Sequence, residues 1–183
     1  MIKPHNGLRT LLELEFAGVG GNVSFLKYSY VNTFYQQLWR HGVMKYRWEA
    51  RFVQPTWWTS SVEDIPKGER FFLGGENSVR GYRAFDLGSR YSNGDPIGGI
   101  SASVISVEYL HEILSILDGF LFIDAGSISR KKFNIQRYNM SYGAGIRLEV
   151  MHRMPITVGI GFPVNAKHNS QIERVFFSMG GQF

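Results

Sequence analysis

The residue types able to do chemistry are few in this chain, and their spacing argues against catalysis. Five histidines, His5, His41, His111, His152 and His168, are scattered with no i,i+4 or paired-ligand spacing, so no metal site is expected. The absence of cysteine removes thiol nucleophiles, disulfides and zinc-finger spacings together. No Gly-x-Ser-x-Gly elbow occurs, and Gly74-Gly75 lacks the Lys-Ser/Thr pair of a phosphate-binding loop. Ser101, Ser103 and His111 could in principle serve a lipid hydrolase, but nothing organises them as nucleophile and base. The expectation is a protein that is not an enzyme and uses no cofactor. What remains is charge that is spread along the chain and alternates with apolar residues.

The elements that must position these charges announce themselves in the composition. The 183 residues include 14 Phe, 9 Tyr, 4 Trp and 21 Gly, with only 19% charged residues and a mean hydropathy of −0.14. That profile excludes intrinsic disorder, which needs scarce aromatics and high net charge. It also excludes a bundle of spanning helices, because no stretch approaches the roughly 18 uninterrupted apolar residues such a helix needs. The net charge of +5 is spread among apolar positions and forms no basic stripe, so nucleic acid is not an expected partner. The first residues, Met1 to Gly7, contain no apolar signal segment, so no signal peptide is expected at this N-terminus.

Alternation of period two is clearest over residues 43–53. Met44, Tyr46, Trp48, Ala50 and Phe52 alternate there with Lys45, Arg47, Glu49 and Arg51. Similar runs at 8–16, 23–37, 98–110, 119–128, 138–150, 155–162 and 173–183 bring the expected number of strands to eight. A soluble sandwich would also alternate, but most of these runs are about 9 to 13 residues long, the length of tilted strands that cross a bilayer. The expected fold is all-β, an antiparallel transmembrane β-barrel. One face meets lipid, and the other, carrying Arg, Glu, Ser and Gly, lines a water-filled lumen. Trp39, Trp57, Trp58, Tyr138 and Phe183 stand near strand ends, where membrane interfaces favour aromatics. Parity puts Glu108 and Asp124 on the polar faces of their strands. Connections alternate between short turns and longer polar links, and the link at 54–97 is too long to be a passive hairpin.

Within that link stands Glu69-Arg70-Phe71-Phe72-Leu73-Gly74-Gly75-Glu76-Asn77-Ser78-Val79-Arg80-Gly81-Tyr82. This run closely resembles the sixth external loop of BamA-type outer-membrane assembly proteins, a superfamily that also includes TamA-type proteins and two-partner-secretion transporters. Phe122-Ile123-Asp124-Ala125-Gly126, Val107-Glu108-Tyr109, Gly143-Ala144-Gly145-Ile146-Arg147 and the terminal Phe183 fit the same pattern. The resemblance implies that the loop folds back into the barrel and that Arg80 reaches a lumen carboxylate, Asp124 first with Glu108 as second partner. A planar guanidinium suits bidentate carboxylates better than a lysine does. Gly74, Gly75 and Val79 complete the motif, Gly81 allows close backbone approach, and Tyr82 wedges against the wall.

The run Val175-x-Phe177-x-Met179-x-Gly181-x-Phe183 looks like the carboxy-terminal targeting strand of outer-membrane barrels, an edge that can template onto another sheet. The resemblance covers residues 1–183 as the last eight strands of a sixteen-stranded barrel, without the periplasmic POTRA repeats. It implies a bacterial-type outer membrane and a role in folding and inserting client barrels through a lateral seam. It also implies the bilayer, client outer-membrane proteins and assembly-complex lipoproteins as partners. The alternatives are polypeptide translocation, a closed eight-stranded structural barrel pairing 8–16 with 175–183, and a homodimer joined through its strand edges.

Overall fold

The computed structural model describes residues 6–18, 20–57, 59, 63–135, 137–150, 154–166 and 168–180. Eight strands form one sheet in sequence order: β1 (Gly7–Ala17), β2 (Phe25–Trp39), β3 (Gly42–Pro55), β4 (Ser101–Leu114), β5 (Leu117–Ser129), β6 (Asn139–Val150), β7 (Met154–Pro163) and β8 (Val175–Met179). Every neighbouring pair is antiparallel. The sequence rhythm predicts these strands to within a few residues at most ends. The largest difference comes where no Gly, Pro, Asn or Asp marks a turn, as β4 continues through His111 to Leu114 past the expected end at Leu110; of the expected 173–183 run, β8 takes in Val175–Met179, and residues 181–183 lie outside the described residues. Trp58, Gly181 and Phe183 lie outside the described residues.

Alternation sorts each strand onto two faces. The outer face carries Leu12, Trp48, Ile105, Leu121, Ile123, Tyr142, Ile160 and Phe177, all exposed. Cross-strand aromatic pairs brace it, Tyr30 with Trp48 at 5.5 Å and Tyr142 with Phe162 at 5.7 Å between ring centroids. The inner face carries the charges. Over β1 to β3 these surround a polar trough of about 620 Å³, where Lys27, Lys45, Arg47 and Arg51 face Glu13, Glu15 and Glu49. Among the described residues β1 pairs only with β2 and β8 only with β7, so the sheet is open. The closed pairing of the first run with the last is therefore not the arrangement adopted. Residues 7–16 of β1 are exposed on both faces, as an edge strand with nothing over its inner side must be.

The long segment between β3 and β4 does not stand away from the sheet. It folds onto the inner face and supplies Ile65, Phe71, Leu73, Val79, Tyr82 and Leu87 to an apolar core completed by Phe25, Val53, Ile100, Ala102 and Val104. Here the expectation of a water-filled interior is corrected, since the polar trough persists beside β1 to β3 while the long-loop end is packed. Parity assigns a side chain to a face but says nothing about what covers that face. A second arginine ties the segment together. Arg70 is buried, and its Nε, Nη1 and Nη2 donate to the carbonyls of Ile65 (3.0 Å), Ile97 (3.1 Å) and Glu63 (3.1 Å).

Replacing Arg70 with Met leaves the Ile65 and Ile97 carbonyls, buried against it, without its donors, and charged-donor bonds of this kind are worth roughly 2–3 kcal/mol. Limited trypsin digestion of Arg70→Met is expected to cut inside residues 56–100 at least about tenfold faster than the parent. Strand content by circular dichroism is expected to stay unchanged. Unaltered cleavage would show that Arg70 does not hold the segment.

Candidate functional site

The site begins in a tight turn. Gly74 N–H donates to Ser78 Oγ (2.8 Å), Ser78 N–H to the Gly75 carbonyl (3.2 Å), and Gly75 N–H to the Tyr82 carbonyl (2.9 Å). These bonds close a loop that presents Val79, Arg80, Gly81 and Tyr82 to the inner wall. Arg47 of β3 adds an outside hold by donating to the Asn77 carbonyl at 3.2 Å.

Arg80 is buried at 7% exposure, between carboxylates and aromatic rings. Its backbone N–H and Nε both donate to Asp124 Oδ2, at 3.1 and 2.8 Å, while Nη2 donates to Oδ1 at 2.9 Å. The remaining terminal nitrogen, Nη1, donates to Glu108 Oε2 at 2.5 Å. Ser106 Oγ accepts from Nη2 at 3.3 Å and donates to Asp124 Oδ1 at 2.7 Å, which ties the carboxylate to β4 beside the guanidinium fork. Arg147 from β6 donates to the other Glu108 oxygen at 3.2 Å. Burial opposes the charge on Arg80. The hydrogen bonds and negative charges of Asp124 and Glu108 outweigh that cost and hold its pKa above arginine's ordinary value.

The other face of the guanidinium is covered by rings. It lies 3.7 Å from the Phe122 centroid, 5.7 Å from Phe120 and 6.0 Å from Phe176, so cation–π attraction adds to the ion pairs. The three rings form a cluster of their own and need bare backbone beneath them. The register supplies it, since Phe122 sits opposite Gly143 and Phe120 opposite Gly145, while Gly145 faces Gly159 and Gly159 faces Phe176. A Cβ at Gly145 would stand 2.5 Å from the Phe120 ring. The loop backbone uses one more glycine pair. Gly81, at φ +86°, lies so close to Gly161 of β7 that a Cβ on it would fall 2.8 Å from the Gly161 carbonyl carbon.

Tyr82 is 1% exposed, and its hydroxyl donates to Asn165 Oδ1 (3.0 Å) and the Met140 carbonyl (3.3 Å). Burial raises the pKa of its phenol. The link between β7 and β8 also embraces the motif, as Arg83 N–H donates to the Gln171 carbonyl and Glu173 N–H to that of Gly81. Of the six motif residues expected from sequence, Arg80 meets Asp124 and Glu108, while Val79 lies against Gly126, Gly81 against Gly161, Tyr82 against Met140 and Asn165, and Gly74 and Gly75 form the turn that presents them. Sequence reasoning left out Ser106, Phe176 and Asn165. Phe176 carried a signal, because it shares its strand face with Arg174 and Ser178 and lines up with glycine on β7.

At the far end of the sheet β8 has, among the described residues, no strand on its other side. Gly161 N–H donates to the Arg174 carbonyl and Gly180 N–H to the Pro155 carbonyl. In an antiparallel ladder this phase turns the backbone groups of even-numbered residues toward β7. The N–H and C=O of Val175, Phe177 and Met179 therefore face the open edge, and their side chains are exposed on the outer face.

Arg80→Ala and Asp124→Asn are each expected to cost about 3–4 kcal/mol, because each leaves a buried charge unmatched. The double variant is expected to cost little more than either alone, a coupling of about 2–3 kcal/mol in urea unfolding followed by tryptophan fluorescence. Additive losses would sink the pairing. Arg80→Lys, with no planar fork, is expected to recover less than half of the loss.

The Omp85 superfamily domain matches residues 1–183 of the chain. The chain is 30% identical over 196 residues to the outer membrane protein assembly factor BamA of Nitratidesulfovibrio vulgaris, an alignment covering 99% of this chain and 24% of that protein. It is 28% identical over 205 residues to sorting and assembly machinery component 50 homolog B of Xenopus laevis, covering 100% of this chain and 42% of that one. The chain thus spans less than half the length of these relatives. Its fold superposes on the crystal structure of BamA from Haemophilus ducreyi lacking POTRA domains 1–3, with a TM-score of 0.81 over 97% of this chain and 39% of that one, at 16% identity. With its whole length matched by the family domain and its strands laid out as in a solved barrel, the chain belongs to the Omp85 superfamily.

Proposed function

We propose that this chain forms the last eight strands of a sixteen-stranded outer-membrane barrel and that the barrel folds and inserts client β-barrels, with β8 as one lip of a lateral seam. The observation that carries the reading is the free side of β8, where Val175, Phe177 and Met179 expose apolar side chains and unpaired backbone groups together. Such an edge can template a strand of an incoming chain by main-chain hydrogen bonding, which needs neither nucleotide nor cofactor. The names of the relatives, an outer membrane protein assembly factor and a sorting and assembly machinery component, lend support. The apolar plug of Val79, Tyr82 and Leu87 over the inner face favours the edge over the interior as the working surface, and so favours insertion over translocation.

In this reading Arg80 holds β4 and β5 together from the inside, so thermal opening concentrates at the last strand. The wall next to the seam stays rigid while the lip exchanges partners. The partners are the bilayer, client outer-membrane proteins and the lipoproteins of an assembly complex, in a bacterial-type outer membrane. A second copy of the chain, joined edge to edge, is the other way to satisfy β1 and β8.

The test is the folding rate of a urea-denatured client barrel added to liposomes holding the full chain, read by gel mobility. The parent is expected to accelerate folding at least about tenfold over empty liposomes, equivalent to about 1.4 kcal/mol of barrier. Phe177→Pro removes a free-edge donor without touching the ladder to β7 and is expected to abolish the gain, while Phe177→Ala keeps most of it. Equal rates for the two variants would remove the edge from the mechanism.

A further inference from the structure

We infer that the outside of the wall, at its long-loop end, carries a binding site for the phosphate groups of membrane lipid, built by the link between β5 and β6. The inference rests on the membrane reading proposed above.

The outer faces of β4 and β5 change character along their length. Ile105, Leu121 and Ile123 are exposed and apolar, but toward the long-loop end the same faces carry Ser101, Ser103 and Ser127, all buried. Hydroxyls on a lipid-facing parity mark where the hydrocarbon band stops and the headgroup layer begins. Ser101 and Ser103 are covered by the link between β5 and β6, whose described residues 130–135, 137 and 138 lie over the outside of the sheet instead of projecting beyond its rim.

The link is clamped there by polar contacts. Ser101 Oγ donates to the Lys131 carbonyl at 2.7 Å and accepts from Asn134 N–H at 3.3 Å, and Lys131 N–H donates to Ser129 Oγ at 3.1 Å. Tyr138 adds a hydrogen bond from its hydroxyl to Ser103 Oγ at 3.3 Å. Phe133 is the apolar anchor. It reaches past β4 to the outer-face rings of Phe52 at 5.1 Å and Tyr28 at 6.2 Å between centroids, and it still leaves 55% of its surface open. Its φ of +48° is a strained conformation for a bulky residue, sustained by these contacts.

The charge on this link is one-signed. Arg130 is paired with Glu63, but Lys131 and Lys132 are exposed, and neither has an ion pair among the described residues. Two exposed lysines next in sequence to a half-open aromatic ring, on a backbone clamped at the height where the wall turns polar, match the chemistry of a lipid headgroup. The ring enters the acyl boundary while the cations meet phosphate. A protein partner would need a wider apolar surface than one ring, and a free anion would gain nothing from Phe133.

The experiment reconstitutes the full chain in phosphatidylcholine vesicles with and without phosphatidylglycerol. Flotation reads insertion, and native mass spectrometry of the extracted protein counts the phosphatidylglycerol it retains. The parent is expected to float with both vesicles and to retain phosphatidylglycerol. The Lys131→Gln, Lys132→Gln double variant is expected to float equally and to bind that lipid roughly thirtyfold more weakly, two surface cations' worth. Phe133→Ala is expected to weaken retention less, and Lys67→Gln, a cation elsewhere on the long segment, not at all. Excess inorganic phosphate is expected to leave retention unchanged, and displacement by it would overturn a lipid site in favour of a free-anion site. Equal retention by parent and double variant overturns this inference alone, whereas failure to float overturns the membrane reading and this inference with it.

Discussion

An arginine taken out of water costs several kcal/mol unless its charge and all its donors are matched, and most of this wall is arranged to match one arginine. Arg80 brings its charge from a segment 45 residues long that lies between β3 and β4, and the acceptors come from two strands that follow it. Asp124 and Glu108 can serve together only if β4 and β5 hold the register that sets Ser106 opposite Asp124 and Glu108 opposite Phe122. Slipping one strand against the other by one residue would turn one of the two carboxylates to the outer face. The pairing therefore fixes the register of the wall as well as the position of the loop.

The same requirement divides the sheet into a held part and a free part. From β4 to β7 the inner face is tied to the loop by Arg80, by Tyr82 through Met140 and Asn165, and by the contact of Gly81 with Gly161. β1 has no such cover, and among the described residues β8 has a neighbour on one side only, β7. Free energy of local opening follows buried contacts and protected hydrogen bonds, so opening falls on the edges.

Much of the wall was legible in the sequence because its signal is geometric. Period two alone puts Asp124, Glu108 and the glycines of β6 and β7 on one face, and the outward aromatics on the other. Period two does not say what lies against a face. The inner side reads as wet, yet a core containing Phe71, Leu73, Val79 and Tyr82 occupies its long-loop end, because those residues sit in a segment with no period at all. Phe176 was passed over for a related reason, since an aromatic residue on a polar parity looks like an exception until the opposing glycines are lined up across strands. Ser101 and Ser103 read only as unorganised hydroxyls, because no sequence pattern brings Lys131, Asn134 and Tyr138 of the following link onto them. Turns lacking Gly, Pro, Asn or Asp, such as the one joining Leu114 to Leu117, leave no mark for sequence reasoning to find.

The identity of the central cation follows from its surroundings. Asp124 takes two edges of the guanidinium, Nε and Nη2, while Nη1 extends to Glu108, so the two carboxylates are engaged by different nitrogens of one rigid plane. Only a plane can do this and also lie 3.7 Å over the Phe122 ring. A lysine ammonium is compact and strongly hydrated. Placed here it would satisfy one carboxylate, leave the other without its guanidinium partner, and lose the stacking on Phe122. The glycines opposite Phe120 and Phe122 belong to the same constraint, because only a wall stripped to backbone lets the rings lie flat enough to receive the cation. The carboxylates, the rings and the bare backbone are three parts of one solution to burying a single positive charge, and each depends on the register that the other two require.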